Sequence, residues 1–276
     1  NVFCHWHPNT EAYVRCQRCE RLICPLCQIE SAVGFLCVED AGKQPARSRG
    51  RIASKFDGRP IVTQVLVVVT VAIYALQILT GGWLTNLLAF QPAASILEPW
   101  RFITAGFVHS DSLFSNPLSV LHIVLNMYTL FLFGRTLEPI LGRWRFLALY
   151  LISIVGGSIA VMWLASPIQV VVGASGGAFG LMAAFLIILR SIGANTTTMA
   201  GVIAINLVFT FMNPSISWEA HVGGLALGAV VALVYSKTRD LQQQKFQVLG
   251  LAGIVLALAL AGGIRAFMIL SEYGLI

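Results

Sequence analysis

Seven runs of apolar residues dominate the chain and leave few folds open to it. They cover residues 60–80, 118–137, 146–165, 173–189, 198–212, 218–235 and 248–270. A helix that spans a bilayer needs about 20 mostly apolar residues, so only the run at 198–212 is short. The runs lack the strict alternation of a membrane β-barrel. The sequence therefore predicts an all-α polytopic membrane protein.

The composition and charge support this class. Hydrophobic residues make up 57% of the chain and charged residues only 11%, whereas a soluble domain carries about 25% charged residues. The net charge of +6 does not indicate nucleic-acid binding, because the basic residues form no continuous patch. The first residues also lack the pattern of a cleavable signal peptide. We expect a lipid bilayer, and no nucleic acid, as partner.

The positions of Lys and Arg predict the orientation, because cytosolic loops are enriched in both. With the N-terminus in the cytosol, the basic residues after the second, fourth and sixth runs lie inside, and only Arg101 and Arg265 lie outside. We therefore predict a multi-pass protein of the cell membrane with a cytosolic N-terminus and an extracellular C-terminus. Residues 42–59 form a basic linker that can attract anionic lipid head groups.

All six cysteines fall within the first 37 residues, in the spacings Cys4-x-x-His7, Cys16-x-x-Cys19, Cys24-x-x-Cys27 and Cys37-x-x-Asp40. This spacing lets one tight turn offer two side chains to a tetrahedral zinc ion. The pattern predicts a zinc-binding domain at residues 1–41, in which metal supplies folding energy. A disulfide framework and a redox-active pair are the alternatives, although a cytosolic location disfavours the first and the absence of a βαβ pattern the second.

A serine between glycines begins the fourth run, in the segment Gly-Ala-Ser-Gly-Gly-Ala-Phe-Gly at residues 173–180. One interpretation is helix packing, because glycines four residues apart, such as Gly176 and Gly180, let helix backbones approach closely in lipid. The other is a nucleophile, Ser175, placed where free backbone N–H groups can stabilise an oxyanion. The serine alone does not decide between the two.

His221 adds weight to the second interpretation, because a histidine in a membrane segment is costly and needs a partner. Gly224 and Gly228 lie on the same helix face, which can therefore approach another helix closely. Packing this face against the glycines of the fourth run would bring the imidazole near Ser175, the minimum for an activated serine. Glu219 lies on a different helix face, so we predict a dyad.

His122 and Asn126 lie four residues apart in the second run and share a helix face. Both side chains can donate hydrogen bonds. They could join helices as a polar pair, or form an oxyanion hole beside an activated serine.

These residues and their order resemble the rhomboid family of intramembrane serine proteases. The matching motifs are Trp100-Arg101, His122-x-x-x-Asn126, Gly134-Arg135-x-x-Glu138, Gly173-x-Ser175-Gly176-x-x-Phe179-Gly180 and His221-x-x-Gly224-x-x-x-Gly228. The resemblance implies a six-helix catalytic core at residues 60–236, followed by an inner loop and a seventh helix at 237–276. A zinc domain ahead of such a core is similar to actinobacterial members.

For the active site, the resemblance implies Ser175 as nucleophile and His221 as general base, with no cofactor there. The oxyanion hole would comprise His122, Asn126 and the backbone N–H of Ser175. Residues with supporting roles would be Phe179, which matches an aromatic that packs on the catalytic histidine, and Gly173, Gly176 and Gly224. Substrates would be transmembrane proteins, unwound locally and cleaved near the outer membrane face, usually after a small residue.

The N-terminal segment resembles a B-box-like domain with two interleaved structural zinc sites. The resemblance implies a first site formed by Cys4, His7, Cys24 and Cys27. It implies a second site formed by Cys16, Cys19, Cys37 and Asp40, with His5 as an alternative ligand. A cytosolic protein partner of this domain is a further expectation.

Two isolated polar residues receive structural interpretations. We expect His109, in the long loop at residues 81–116, to be a polar surface residue. We expect Glu138 to bind a nearby arginine or a backbone group, since a buried carboxylate in a membrane helix needs a partner.

A polytopic membrane protein of this kind is also compatible with two other function classes. A transporter would carry inverted repeats, and no corresponding halves are found in the sequence. A non-catalytic membrane adaptor, acting through a cytosolic zinc domain, is the alternative function, and it predicts that Ser175 is dispensable.

Overall fold

The computed structural model describes residues 2–31, 34–42, 59–112 and 119–274. Contacts divide the chain into two compact units, Asn1–Asp57 and Gly58–Ile276. Most of the basic linker predicted at residues 42–59 lies outside the described residues.

The N-terminal unit consists of two small antiparallel hairpins and a short helix. The first hairpin pairs β1 with β2, and Val14 lies opposite Ile23. The elements are β1 (Val14–Arg15), β2 (Leu22–Ile23), a 3-10 turn (Pro25–Cys27), β3 (Ile29–Ser31), β4 (Gly34–Leu36) and α1 (Val38–Gly42). Among the described residues of this unit, the buried core contains, apart from cysteines, only Ala12, Ile23 and Leu36. So small an apolar core does not stabilise a fold on its own.

The described part of the second unit contains seven long helices. They are α2 (Ile61–Leu79), α6 (Ser119–Leu141), α7 (Arg143–Leu164), α8 (Ser175–Ser191), α9 (Thr197–Met212), α10 (Trp218–Lys237) and α11 (Gln244–Glu272). Five are long and apolar enough to cross a membrane, whereas α8 and α9 are shorter apolar helices. The prediction of an all-α polytopic membrane protein is confirmed.

The connection between α2 and α6 contains three short helices and a 3-10 turn. They are α3 (Trp83–Leu88), α4 (Pro92–Ser95), α5 (Arg101–Thr104) and the turn Ala105–Phe107, while a further turn, Leu241–Gln243, precedes α11. The buried Arg101 guanidinium holds this connection together, because it donates to the carbonyls of Asn86 and Ala89 and pairs with Glu98. A β-bridge between Phe90 and Val171 ties the connection to the segment that leads into α8.

Helices α7, α8 and α10 pack against each other at the centre of the bundle, and glycines let them do so. A Cβ atom on Gly224 would overlap the backbone of Gly176, and one on Gly228 would overlap the backbone of Gly180. Helices α9 and α11 are more peripheral. Only three side chains of α9 are buried, Met199, Ile203 and Thr210.

Glu138 of α6 joins the first turn of α2 to the bundle. Its carboxylate is 2% exposed and accepts hydrogen bonds from the backbone N–H groups of Val62 (2.9 Å) and Thr63 (2.8 Å) and from the Thr63 hydroxyl (2.7 Å). These N–H groups have no acceptor within their own helix, and a carboxylate also suits the positive end of a helix dipole. The structural role expected for Glu138 is confirmed, with backbone groups as partners.

We predict that Glu138→Ala destabilises the fold, because it leaves buried donors of α2 without an acceptor. The expected loss is about 2–4 kcal/mol of unfolding free energy, or a fall in Tm of about 5–10 °C, measured by thermal unfolding in detergent. Glu272→Ala removes an exposed carboxylate and serves as control, with little change. Equal shifts for both variants would contradict the assigned role.

Candidate active site

Ser175 is the first residue of α8 and follows a glycine that the local backbone requires. Gly173 has a φ of +125°, a conformation that residues with a side chain rarely adopt. A Cβ atom at Gly173 would lie 2.8 Å from Nε2 of His122 and 3.7 Å from Oγ of Ser175. The absence of a side chain at Gly173 therefore leaves room for both groups beside the start of α8. The N–H groups of the first helical turn have no acceptor within the helix.

His221 lies in the first turn of α10 and is 8% exposed. The Phe179 ring stacks on its imidazole, with centroids 4.3 Å apart and planes inclined by 24°. Nδ1 of His221 is 2.7 Å from the hydroxyl of Thr210 on α9. The ring is thus held on one face and at one edge.

The predicted residues are brought to one region, though not all into direct contact. Ser175 begins α8 and His221 lies in the first turn of α10, and the backbones of these two helices meet at Gly176 and Gly224. Within the described part of the chain, no hydrogen bond joins Ser175 Oγ to His221. Asn126 donates to the backbone carbonyl of His122 at 2.8 Å, which leaves one of its two amide N–H bonds available.

His109 corrects one expectation, because it is 0% exposed rather than a surface residue. Gln77 of α2 fixes its backbone, accepting from the His109 N–H at 3.0 Å and donating to its carbonyl at 2.8 Å. Nε2 of His109 accepts from the N–H of Ala174 at 3.4 Å, and its ring lies 5.1 Å from that of His122. A glutamine within an apolar run was the available signal that this loop returns to the helix.

Glu219 lies apart from the imidazole chemistry, as the sequence predicted. Its carboxylate accepts from the hydroxyl of Ser217, which caps α10 by accepting from the N–H of Ala220. Sequence reasoning missed Thr210 as the partner of His221. No signal could have found it, because hydroxyl residues in apolar helices usually bond to their own backbone.

A small cavity of about 20 Å³ lies beside the start of α8. Its lining includes Gly173 and Gly176, which flank Ser175, together with Ala220 and Ile154. A space of this size holds about one water molecule. A large side chain does not fit there without rearrangement.

The N-terminal unit gathers its cysteines into two clusters of four potential ligand atoms, each within 4.8 Å of one another. The first contains Cys4, His7, Cys24 and Cys27, and the second contains Cys16, Cys19, Cys37 and Asp40. These are the two sets implied by the B-box resemblance. His5 belongs to neither cluster, since its ring packs edge-on against Trp6 and its Nε2 faces Arg21 at 3.5 Å.

The separations within the clusters fit a tetrahedral metal ion. Nδ1 of His7 lies 3.4 Å from Sγ of Cys24 and of Cys27, and Sγ of Cys19 lies 3.8 Å from Sγ of Cys37. Ordinary zinc bond lengths give tetrahedral edges of about 3.6 Å between nitrogen and sulfur and about 3.8 Å between two sulfurs. Both clusters can therefore hold a metal ion without rearrangement.

The neighbouring thiols of the first cluster also affect one another's protonation. Burial, and then hydrogen bonds with the thiols of Cys4 and Cys24, raise the pKa of Cys27 to about 12. A bound cation reverses this effect, because it stabilises the thiolate form that serves as ligand.

Comparison with known proteins gives the family. Residues 97–238, just over half of the chain, match the family described as "Rhomboid domain". The chain is 30% identical over 204 residues to "Rhomboid protease GluP" of Bacillus subtilis, an alignment covering 69% of this chain and 38% of that protein. It is 35% identical over 145 residues to "RHOMBOID-like protein 6, mitochondrial" of Arabidopsis thaliana, covering 50% and 44%.

A third relative is "Putative rhomboid protease YdcA" of Bacillus subtilis, 29% identical over 164 residues, or 57% of this chain and 78% of that protein. The chain spans less than half the length of the first two relatives. The family match covers the segment that contains Ser175 and His221. The chain belongs to the rhomboid family.

Proposed function

We propose that this protein is an intramembrane serine protease in which Ser175 attacks the substrate and His221 is the general base. The observation that carries the proposal is the placement of these two residues. Ser175 is the first residue of α8 and His221 lies in the first turn of α10, on helices whose backbones meet at Gly176 and Gly224. The serine hydroxyl and the partly shielded imidazole are the two groups that an activated nucleophile requires.

In the proposed reaction, Oγ of Ser175 attacks the scissile carbonyl carbon while Nε2 of His221 takes the hydroxyl proton. The oxyanion would be stabilised by the N–H of Ser175 and by His122 and Asn126. The imidazolium then gives its proton to the departing amine, and a water molecule hydrolyses the acyl-enzyme by the reverse sequence of proton transfers. Proton transfer needs a donor–acceptor distance of about 2.6–3.2 Å, a contact that often tightens only when substrate binds.

We propose transmembrane proteins as substrates. A helical segment hides its backbone inside its own hydrogen bonds, so the scissile bond becomes accessible only after local unwinding. The cavity beside Gly173 and Gly176 is small, and its lining combines glycines and alanines with larger apolar residues such as Phe90 and Ile154. It suits a small side chain next to the cleaved bond, in keeping with the preference expected from the family resemblance.

We infer that the N-terminus and the first turns of α7 and α11 face the cytosol. Arg145 of α7 donates to Gln247 of α11 at 2.6 Å, and Arg239 donates to Ser191 at the end of α8. These basic residues lie at one end of the bundle. Ser175 and His221 lie in the first turns of their helices, at the opposite end. Basic residues mark the cytosolic side, so cleavage would take place near the outer face of the cell membrane.

We further propose that each N-terminal cluster binds one structural zinc ion. Three cysteines with one histidine or aspartate form a four-ligand set typical of closed zinc sites. The small apolar core of this unit makes its folding dependent on the metal.

The protease proposal predicts that Ser175→Ala and His221→Ala each lower the cleavage rate by more than about 10³-fold. Cleavage of a single-span substrate in liposomes is followed by gel electrophoresis. Ser236→Ala, at a half-buried position near the end of α10, and His5→Ala, at an exposed position, are the matched controls and should cleave at the wild-type rate. Undiminished cleavage by Ser175→Ala would sink the proposal. A function that survives this substitution would favour the membrane adaptor.

The zinc proposal predicts about two zinc ions per chain in purified full-length protein, measured by elemental analysis. Asp40→Ala should leave about one, because the second site loses a ligand. Glu39→Ala, an exposed neighbour outside the cluster, should keep two. Iron in place of zinc, or equal metal contents in both variants, would contradict the assignment.

The orientation predicts the behaviour of reporters fused after the last residue. Alkaline phosphatase, which folds only outside the cytosol, should be active there, and green fluorescent protein should be dark. The reverse pattern would show a cytosolic C-terminus and overturn the assigned topology.

A further inference from the structure

Thr210 is the hydrogen-bond partner of His221. Its hydroxyl oxygen lies 2.7 Å from Nδ1 of the imidazole, and Thr210 itself is 2% exposed. Helix α9, which carries Thr210, ends two residues later at Met212. Among the described residues, no carboxylate hydrogen-bonds His221, and Glu219 is engaged with Ser217.

The direction of this hydrogen bond follows from counting protons. A threonine hydroxyl has one proton and two acceptor positions. The Thr210 hydroxyl lies 2.8 Å from the backbone carbonyl of Asn206, which can only accept, so the proton is donated there. The hydroxyl oxygen is then the acceptor for His221, and the proton of the second bond belongs to Nδ1.

This arrangement specifies the tautomer of the imidazole. A neutral imidazole carries one proton, and with that proton on Nδ1 the lone pair lies on Nε2. Nε2 is the nitrogen that the proposed reaction uses to take the proton of Ser175. The opposite tautomer would have a protonated Nε2 and could not act as the base. Phe179, stacked at 4.3 Å, limits rotation of the same ring.

We propose that Thr210 is a positioning residue that holds His221 in its Nδ1-protonated tautomer, so that Nε2 is free to accept the proton of Ser175. The inference rests on the proposed function. It assigns to a neutral hydroxyl on α9 the orienting role that a buried carboxylate has in the Ser-His-Asp proteases. A hydroxyl supplies no negative charge to stabilise the imidazolium, so its contribution is smaller than that of a carboxylate.

The test compares Thr210→Val, which keeps the side-chain shape but loses the hydroxyl, with Thr210→Ser, which keeps the hydroxyl. Thr129→Val is the matched control, because the Thr129 hydroxyl also donates to the carbonyl four residues earlier, at 2.8 Å, in an exposed hydrogen bond at a half-buried position of α6. Kinetics with a single-span substrate in liposomes should show kcat reduced about 10–100-fold in Thr210→Val. KM should change less than about twofold, since Thr210 is not proposed to contact substrate. Thr210→Ser and Thr129→Val should keep kcat within about threefold of wild type.

A second readout does not depend on activity. Nitrogen-15 NMR of histidine-labelled protein separates the two tautomers, and the His221 signal is identified by its loss in His221→Ala. The wild type should show a protonated Nδ1 and an unprotonated Nε2, and Thr210→Val should show a mixture. An unprotonated Nδ1 in the wild type, or a normal kcat in Thr210→Val, would overturn the inference.

The two proposals fail in distinguishable ways. Cleavage by Ser175→Ala at the wild-type rate would remove the protease mechanism, whatever the tautomer of His221. An active wild type with a Ser175-dependent reaction and an unaffected Thr210→Val would remove only the role of Thr210.

Discussion

The backbone contact between α8 and α10 is the interaction on which the rest of the second unit depends. Gly176 and Gly180 of α8 face Gly224 and Gly228 of α10, and a Cβ atom on Gly224 or Gly228 would overlap the backbone of Gly176 or Gly180. Lipid supplies no hydrophobic drive for helix association, so close packing of small residues is a principal source of stability. The same contact sets the first turns of both helices side by side. The contact between these glycines thus both stabilises the helix pair and places the residues of the proposed reaction.

Buried polar groups in this protein are held mostly by backbone atoms. Glu138 binds the first turn of α2, Gln77 binds both backbone groups of His109, and Arg101 binds two loop carbonyls. In a medium without water these contacts replace lost hydration. They also fix the segments that lead into the proposed site, since the His109 ring receives the N–H of Ala174 directly before Ser175. The polar network therefore supports the geometry at the start of α8.

Sequence reasoning succeeded for the features that follow from a local pattern of residue types. Apolar runs predicted the seven long helices, and four-residue glycine spacing predicted the faces on which α8 and α10 meet. Paired ligands predicted metal binding in the N-terminal unit, and the B-box resemblance implied the two ligand sets. Sequence reasoning failed at His109 and missed Thr210, because both depend on tertiary contacts between separate elements. The Gln77 amide reaches 32 residues along the chain to His109, and the Thr210 hydroxyl bonds from α9 to α10. The local periodicity of a sequence does not predict such partners.

The most direct test of the central claim, that His221 activates Ser175, is to locate the covalent adduct of a fluorophosphonate. Purified protein is treated in detergent, digested and mapped by mass spectrometry. The account predicts a single modified serine, Ser175, and loss of that modification in His221→Ala with retained folding. Modification of a different serine, or undiminished labelling of Ser175 without His221, would contradict it.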